Sequence, residues 1–246
     1  MKVSAIVVSH GSAAALTEAL PALEPQVDEL LVISNVPGSV PAGVDALAND
    51  RPLGFAANLN LGLTRTSGDA VLAVNPDTVP EPGAVTALRD FMAGRPRCGV
   101  AGPRMVYPDG SPQPSRRRFP TVTGTIVRRT PLRKLVSQPR HLHLDEPQPE
   151  QPVQADWMLG AFLLMRRSML EELGGFDERF RLYGEDIDLQ YRAMRAGWER
   201  WYVPAAVVRH EHQAETDRRW LTRRTLWHWR GILRFVRKHP ERLRAL

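Results

Sequence analysis

The chain has 246 residues, of which 43% are hydrophobic and 24% are charged, and its formal net charge is +6 at pH 7. These values fit one large globular domain, or one domain with an appendage. No apolar run approaches the roughly eighteen residues of a membrane span, and the single cysteine, Cys98, excludes an intramolecular disulfide and a cysteine-based zinc cluster.

The first half of the chain alternates apolar runs with helical patterns. Strands are predicted at residues 3–9, 29–34 and 70–74, and helices at residues 12–23, 54–66 and 81–93. This alternation is typical of parallel βαβ units and predicts an α/β fold. Because residues 1–8 enter the first strand pattern directly rather than through a signal peptide, we expect a cytoplasmic protein.

The second half of the chain is less regular. Residues 103–152 are rich in proline, arginine and polar side chains, which favours a lid, a binding segment or disorder. Order is predicted to resume at residues 157–165. The elements predicted to follow are a short helix ending at Gly174-Gly175, a helix from Asp186 to about Ala196, and two short strands near residues 199–203 and 206–210.

Positive charge is concentrated in a few segments: Arg116-Arg117-Arg118, Arg128-Arg129, Arg133-Lys134 and the tail from residue 218 to residue 244. This distribution indicates anionic partners. Because no zinc-finger spacing, RNA-binding aromatic signature or basic zipper accompanies it, we expect no nucleic-acid partner and favour phosphorylated small molecules or an anionic membrane. Residues 220–238 suit either a helix on a membrane interface or a helix packed against the rest of the protein.

Two acidic motifs lie more than a hundred residues apart. Asn75-Pro76-Asp77 closes the apolar run of residues 70–74, and Gly184-Glu185-Asp186-Ile187-Asp188-Leu189 opens a helix. Because ligands bind at the carboxyl ends of strands in open α/β sheets, Asp77 should lie at a ligand site. Together the motifs suggest a metal-held diphosphate and a general base.

Several segments, in this order along the chain, are similar to the inverting glycosyltransferases of family 2, whose fold is called GT-A. They are residues 3–10, residues 53–60, Asn75-Pro76-Asp77-Thr78, Gly174-Gly175-Phe176-Asp177-Glu178 and residues 184–192. Within this family, Arg104, Pro108-Asp109-Gly110-Ser111 and residues 115–121 resemble bacterial dTDP-rhamnosyl transferases most.

The resemblance implies a Rossmann-like, mostly parallel central sheet flanked by helices, with a C-terminal helical extension. Residues 1–215 would form the glycosyltransferase domain, divided into a nucleotide-binding part at about 1–103, a long loop at 104–152 and an acceptor and catalytic part at 153–215. Residues 216–246 would form a basic amphipathic helical tail.

The resemblance also implies a Mg²⁺ or Mn²⁺ ion held by Asp77, with His210 as a further ligand. The family's fuller motif has an aspartate where this chain has Asn75, so the donor diphosphate would have to complete the metal shell. From the residues alone, Asp77 could instead cap a turn, and an isolated histidine is often structural.

Asp186 is the proposed general base, since it matches the family's Glu-Asp motif, and Glu185 would orient the acceptor or support the site. We expect the start of the helix to keep Asp186 ionised and exposed at the rim of a cleft. An ordinary acidic helix start is the alternative interpretation. Asp188 and Arg192, spaced i,i+4, should form a surface ion pair.

The family places an aspartate after its second strand to contact the base, where this chain has Ser34 and Asn35 as substitutes. The other nucleotide contacts predicted, besides Asn75 and Asp77, are Ser9, His10, Arg51, Gly54 and Asn58. The arginine triplet at 116–118 could close over phosphates or be a solvated basic loop.

The expected function is therefore metal-dependent, inverting transfer of a sugar, with dTDP-rhamnose as the first donor candidate and a UDP-sugar as the alternative. The acceptor would be a cell-envelope glycan or a polyprenyl-diphosphate-linked sugar, reached from the inner face of the membrane. A sugar-phosphate nucleotidyltransferase would need a glycine-rich loop that His10-Gly11-Ser12-Ala13 does not supply. A catalytically inactive nucleotide- or carbohydrate-binding protein remains an alternative because of Asn75.

Overall fold

The computed structural model describes residues 1–119, 148–211 and 223–243. Its strands are β1 Val3–Ser9, β2 Glu29–Ser34, β3 Leu47–Ala48, β4 Ala70–Val74, β5 Thr78–Pro80, β6 Cys98–Val106, β7 Pro112–Gln113, β8 Arg116–Arg117, β9 Val153–Gln154, β10 Trp157–Met158, β11 Phe162–Arg166 and β12 Glu199–His210. Its helices are α1 Ala13–Leu23, α2 Phe55–Arg65, α3 Ala84–Ala93, α4 Arg167–Glu172, α5 Glu185–Arg195 and α6 Arg223–Lys238, with short 3-10 turns at Glu24–Gln26 and Pro240–Leu243.

The core of the fold is a twisted sheet with the strand order β3-β2-β1-β4-β11-β6-β12-β5. Strands β3, β2, β1 and β4 run parallel, and β6 and β12 form a second parallel pair. Strand β11 lies antiparallel between β4 and β6 and joins the two parallel regions. The predicted α/β fold with a mostly parallel central sheet is confirmed.

Both faces of the sheet are covered, which explains why its central strands are buried and mostly apolar. Strand β1 is buried along its whole length, as is β4. On one face the strands pack against α1 and α3, and on the other against α2, α4 and α5. Cys98, at the start of β6, is buried, and burial raises the pKa of its thiol to about 12, so the thiol stays protonated and inert.

Three local expectations were wrong. The two short strands predicted near 199–203 and 206–210 are one strand, β12, whose register against β6 shifts between Val203 and Val207 and so accommodates Pro204. Helix α3 begins at Ala84 because Gly83, with φ of 84°, closes a left-handed turn before it. Strand β6 continues through Pro103 to Val106, so its last four residues lie in the segment predicted to be irregular.

Helix α6 lies in the predicted basic tail and packs against the domain. Phe235 and Val236 are buried in an apolar cluster that contains side chains from α5. The other buried members of this cluster are Phe119, Trp157, Phe180, Ile187 and Tyr191. Of the two alternatives for the tail, packing is therefore observed for this part of α6. Within the described ranges, every helix is too short or too polar to cross a membrane.

Leu164→Ala should destabilise the fold strongly, because β11 bridges the two parallel regions and Leu164 is fully buried within it. We expect a loss of about 2–5 kcal/mol in the free energy of unfolding, measured by urea denaturation. The matched control is Leu233→Ala, at a half-exposed site on α6, which should change stability by no more than about 0.5 kcal/mol. Equal effects of the two substitutions would contradict the described sheet order.

Candidate active site

The polar residues predicted to bind ligand gather at the carboxyl edge of the parallel strands. Ser9 and Ser34 pair in register at the ends of β1 and β2, and Asn75 follows the end of β4. His210 ends β12, opposite Thr78 of β5. Parallel strands place their carboxyl ends on one edge, so residues far apart in sequence meet there.

The two acidic motifs are linked through one backbone segment between β10 and β11. The backbone N–H of Asn75 donates to the Ala161 carbonyl oxygen at 2.8 Å. The preceding amide, Gly160 N–H, donates to Asp186 Oδ2 at 3.0 Å. A Cβ at Gly160 would lie 2.9 Å from the Asp186 Cβ, so only glycine allows this approach. Gly160 was not predicted from the sequence, in which it is one glycine among 18.

Asp77 and His210 lie together, with His210 Nε2 3.5 Å from Asp77 Oδ2. His210 Nδ1–H donates to Gln113 Oε1 at 2.8 Å, which turns the Nε2 edge of the ring towards Asp77. The adjacent turn is closed by Thr78, whose amide and hydroxyl donate to the Asn75 carbonyl oxygen. The Asp77 carboxylate is one-third exposed and so faces both His210 and solvent.

This pair fits a divalent cation as a partial site. A carboxylate oxygen and an oriented imidazole are ordinary metal ligands. Among the described residues, however, no group of three or more His, Cys, Asp or Glu side chains could hold a metal ion. Any cation would therefore depend on ligand oxygens for the rest of its shell. Gln113, which orients the imidazole, was missed because an isolated glutamine in a two-residue strand gives no sequence signal.

Asp186 lies at the start of α5 and is fixed by two backbone amides. Besides the Gly160 contact, Oδ1 accepts from Ile187 N–H at 2.9 Å. Asp186 was expected to be exposed, but its side chain is half-buried, and burial raises its pKa. The amide hydrogen bonds and the positive charge of Arg117 oppose this rise.

Glu185, beside it, is only 6% exposed, and its Oε2 has no hydrogen-bond partner among the described protein atoms. Burial, together with the neighbouring Asp186 charge, raises the pKa of Glu185 to about 8. The first turn of α5 therefore contains a carboxyl group that keeps its proton at neutral pH.

Asp188 was expected on the surface but is completely buried. Its predicted partner is confirmed, since Arg192 Nε donates to Asp188 Oδ2 at 2.8 Å. The Arg192 guanidinium also donates to the carbonyl oxygens of Leu173 and Gly175, which fixes α5 against the Gly174-Gly175 turn. Burial alone would raise the Asp188 pKa, but hydrogen bonds from His239 and Lys238 and the charge of Arg192 lower it.

Most of the predicted nucleotide contacts take part in hydrogen bonds within the protein. Ser9 Oγ donates to the Ser39 carbonyl oxygen, and Ser34 Oγ to that of Val36. Asn35, whose Nδ2 lies 3.0 Å from His10 Nδ1, accepts from Leu53 N–H at 2.8 Å. These bonds tie together the segments that follow β1 and β2.

Asn49 extends this network. Its Nδ2 donates to Asn35 Oδ1 and to Asn58 Oδ1, and Asn58 in turn donates to the Gly54 carbonyl oxygen. Asn58 is fully buried and holds Asn49 from the interior of the protein, whereas His10 and Arg51 are exposed to solvent. Gly54 precedes α2 and lies against Arg181, whose carbonyl oxygen accepts from Phe55 N–H.

Two of the three arginines of the triplet form β8, which pairs antiparallel with β10. Arg116 and Arg117 are half-buried, so the alternative of a solvated loop was wrong for them. Arg117 is close enough to lower the Asp186 pKa. Gln190 of α5 is hydrogen-bonded to β10, the partner strand of β8. Its side-chain oxygen accepts from Met158 N–H, and its Nε2 donates to the Met158 carbonyl oxygen. The basic cluster at 116–118 pointed to Arg117 from the sequence, whereas the contact of Gln190 with β10 was not predicted.

Comparison with known families agrees with this geometry. Residues 22–230 match the model of the family described as glycosyltransferase like family 2. The chain belongs to this family. It is 37% identical over 206 residues to the N-acetylglucosaminyl-diphospho-decaprenol L-rhamnosyltransferase of Mycobacterium tuberculosis, a match that covers 74% of this chain. The chain spans 65% of the length of that relative.

Two solved structures share the fold. The mannosyltransferase PcManGT of Pyrobaculum calidifontis, in complex with GDP-Man and Mn²⁺, superposes with a TM-score of 0.62 at 17% identity and covers 95% of this family 2 chain and 64% of its own. GalNAc-T7 with UDP, GalNAc and Mn²⁺ superposes with a TM-score of 0.62 at 14% identity. This match covers 85% of the present chain and 44% of the GalNAc-T7 chain. The predicted GT-A fold is confirmed by these superpositions.

Glu185→Gln should change how stability depends on pH. In the wild type the folded state keeps a proton that the unfolded chain releases above the usual pKa of 4.5. The contribution of Glu185 is therefore fully present below pH 4.5 and is lost as pH rises towards 8. We expect the free energy of unfolding of the wild type to fall relative to that of the variant across this window, in urea denaturation at several pH values.

The matched control for this prediction is Glu150→Gln, at an exposed position. Its free energy of unfolding should follow the wild type at every pH. If the wild-type and Glu185→Gln curves stay parallel from pH 4.5 to 8, burial does not set the protonation of Glu185.

Proposed function

We propose that the chain is a metal-dependent, inverting glycosyltransferase that moves rhamnose from dTDP-rhamnose to a cell-envelope glycan or lipid-linked acceptor by direct displacement. The observation that carries this proposal is a pair of hydrogen bonds made by one backbone segment. The Ala161 carbonyl oxygen accepts from the Asn75 backbone N–H, and the Gly160 N–H donates to the Asp186 carboxylate. The Asn75-Pro76-Asp77 motif, which we propose binds the donor diphosphate, is thereby linked to a carboxylate suited to base catalysis.

Asp186 is the proposed general base. It takes the proton of the acceptor hydroxyl as the oxygen attacks the anomeric carbon from the face opposite the leaving nucleoside diphosphate, so the configuration inverts. A raised pKa makes the carboxylate a better proton acceptor, and the two amide hydrogen bonds fix its direction. Glu185, buried next to it, supports this carboxylate without needing a charge of its own.

Asp77 and His210 are the proposed protein ligands of a divalent cation. When bound, Mg²⁺ or Mn²⁺ would neutralise the charge that grows on the leaving diphosphate. The imidazole is already oriented by Gln113, and the Asp77 carboxylate is partly exposed. Two protein ligands leave room for diphosphate oxygens, which agrees with Asn75 in place of an aspartate and predicts weak metal affinity without nucleotide.

The donor and the acceptor are inferred from similarity combined with charge. The 37%-identical relative is named an L-rhamnosyltransferase with an N-acetylglucosaminyl-diphospho-decaprenol acceptor. We therefore place dTDP-rhamnose first and a UDP-sugar second. Arg117 lies close enough to the proposed base to lower its pKa, and it follows Arg116 in β8. Guanidinium groups bind phosphate oxygens in pairs, so these side chains suit a diphosphate.

A lipid-linked acceptor also requires the protein to approach a membrane. The described side chains on the outer face of α6 include Arg230, Leu233, Arg234 and Arg237, all exposed. Three positive charges around one apolar side chain suit contact with an anionic bilayer surface. We propose that this face binds the inner surface of the cell membrane.

Asp186→Asn should abolish sugar transfer while leaving donor binding intact, because it removes the proton acceptor and keeps the shape of the side chain. We expect at least about a hundredfold loss of turnover. Calorimetric titration with dTDP, UDP and GDP, each with and without Mn²⁺, measures donor binding in the same variant. The proposal expects metal-dependent binding with a preference for dTDP.

The matched control is Asp90→Asn, on the exposed side of α3, which should leave both turnover and binding unchanged. Unchanged turnover in Asp186→Asn would overturn the base assignment. A preference for UDP would select the alternative donor, and no binding of any nucleotide would favour an inactive member of the family.

Arg234→Glu should weaken membrane contact, measured by co-sedimentation with phosphatidylglycerol vesicles and with neutral phosphatidylcholine vesicles. A basic residue near an anionic surface contributes about 1 kcal/mol, so reversing its charge should lower anionic vesicle binding about tenfold or more. Arg65→Glu, at an exposed position in the last turn of α2, is the control and should bind like the wild type. Equal binding of both vesicle types by the wild type would exclude an electrostatic contact.

A further inference from the structure

The turn that precedes the proposed base has an unusual backbone conformation. Tyr183 has φ of 67° and is the one non-glycine residue of the described ranges with a positive φ. Gly184 follows with φ of 99°, so two left-handed residues in succession lead into Glu185 and Asp186. A non-glycine residue keeps such a conformation only where the surrounding structure holds it.

Helix α6 lies directly against this turn. A Cβ at Gly231 would clash with the Tyr183 carbonyl oxygen and would lie 3.1 Å from the Tyr183 carbonyl carbon. Glycine is unfavourable inside a helix, so its presence here is explained by the close approach of the two backbones. The helix and the strained peptide therefore fit together only without a side chain at residue 231.

The end of α6 makes a second contact, with the helix that carries the base. Lys238 Nζ lies 2.9 Å from the Asp188 carboxylate and 2.6 Å from Asp177 Oδ2. His239 Nε2 lies 2.9 Å from Asp188 Oδ1. Asp188 is fully buried one turn before Arg192, so its charge needs these partners.

Apolar packing completes the contact between the two helices. Phe235 is fully buried and meets Tyr191 of α5 edge-on, with ring centroids 5.5 Å apart. The Tyr191 hydroxyl donates to Glu241 Oε1 at 2.9 Å, just beyond the end of α6. Helix α6 is thus fixed to α5 by contacts at several successive turns.

We propose that α6 is a positioning element of the active site: Gly231 braces the Tyr183-Gly184 turn and Lys238 with His239 holds Asp188, so that Asp186 keeps the direction needed for base catalysis. This inference rests on the proposed function. None of these α6 residues is a proposed substrate contact. They act through the backbone of residues 183–188.

Gly231→Ala tests the brace. The added methyl group must displace the Tyr183 peptide, so we expect turnover to fall about 10- to 100-fold, with little change in the KM for the donor. Amide hydrogen exchange in the peptide that spans residues 183–188 should increase in parallel. Gly94→Ala is the control, because a Cβ there meets nothing closer than 3.7 Å at an ordinary φ of −75°.

Lys238→Met tests the second contact independently and keeps the inference testable if Gly231→Ala does not fold. It should lower kcat and increase exchange in residues 183–188 while calorimetric donor binding is retained. Lys238→Arg, which keeps the positive charge, should restore both values. If α6 contributed only to general stability, the substitutions would lower the midpoint of thermal unfolding. They would not lower kcat selectively while KM and donor binding stay unchanged.

The readouts separate the two proposals. If the wild type transfers sugar, and the folded variants keep wild-type kcat and wild-type exchange in residues 183–188, the positioning role is overturned and the proposed function stands. If the wild type transfers no sugar but exchange rises in Gly231→Ala and Lys238→Met and recovers in Lys238→Arg, α6 braces the turn and the proposed function is overturned.

Discussion

The backbone between β10 and β11 is the constraint on which the site depends. It offers one carbonyl oxygen, from Ala161, to Asn75 after β4, and one N–H group, from Gly160, to Asp186 on α5. Buried polar groups need partners, so these two bonds satisfy the backbone and the carboxylate at once. Because β11 runs antiparallel between the two parallel regions, its start reaches the edge at which β4 ends. The topology thereby brings together motifs that the sequence separates.

Three acidic residues in the first turn of α5 show how strongly the surroundings control charge. Glu185, Asp186 and Asp188 share the same helix terminus, yet burial raises the pKa of the first two, while Lys238, His239 and Arg192 lower that of the third. The helix dipole acts on all of them and cannot explain the difference. Their partners explain it, and the partners of Asp188 that lie outside α5 come from the C-terminal segment.

The order of elements and the identity of the motifs could be read from the sequence because both depend on local patterns. Strands β2 and β4 have the predicted bounds, and α1 and α2 agree to within a residue at each end. Burial around the site could not be read in this way. Asp188 and Arg192 have the spacing of a surface pair on an isolated helix, but α6 and the Gly174-Gly175 turn cover them in the fold.

The sequence by itself determined the family, the α/β alternation and the two acidic motifs, since each is written in contiguous residues whose periodicity or order is sufficient. The tertiary structure alone decided that Gly160 contacts Asp186, that Gln113 orients His210, and that α6 lies on the turn before the proposed base. These contacts join residues 26, 97 and about 48 positions apart. Such distances along the chain carry no periodic signal, so only the packing of the sheet and its helices determines which of these residues meet.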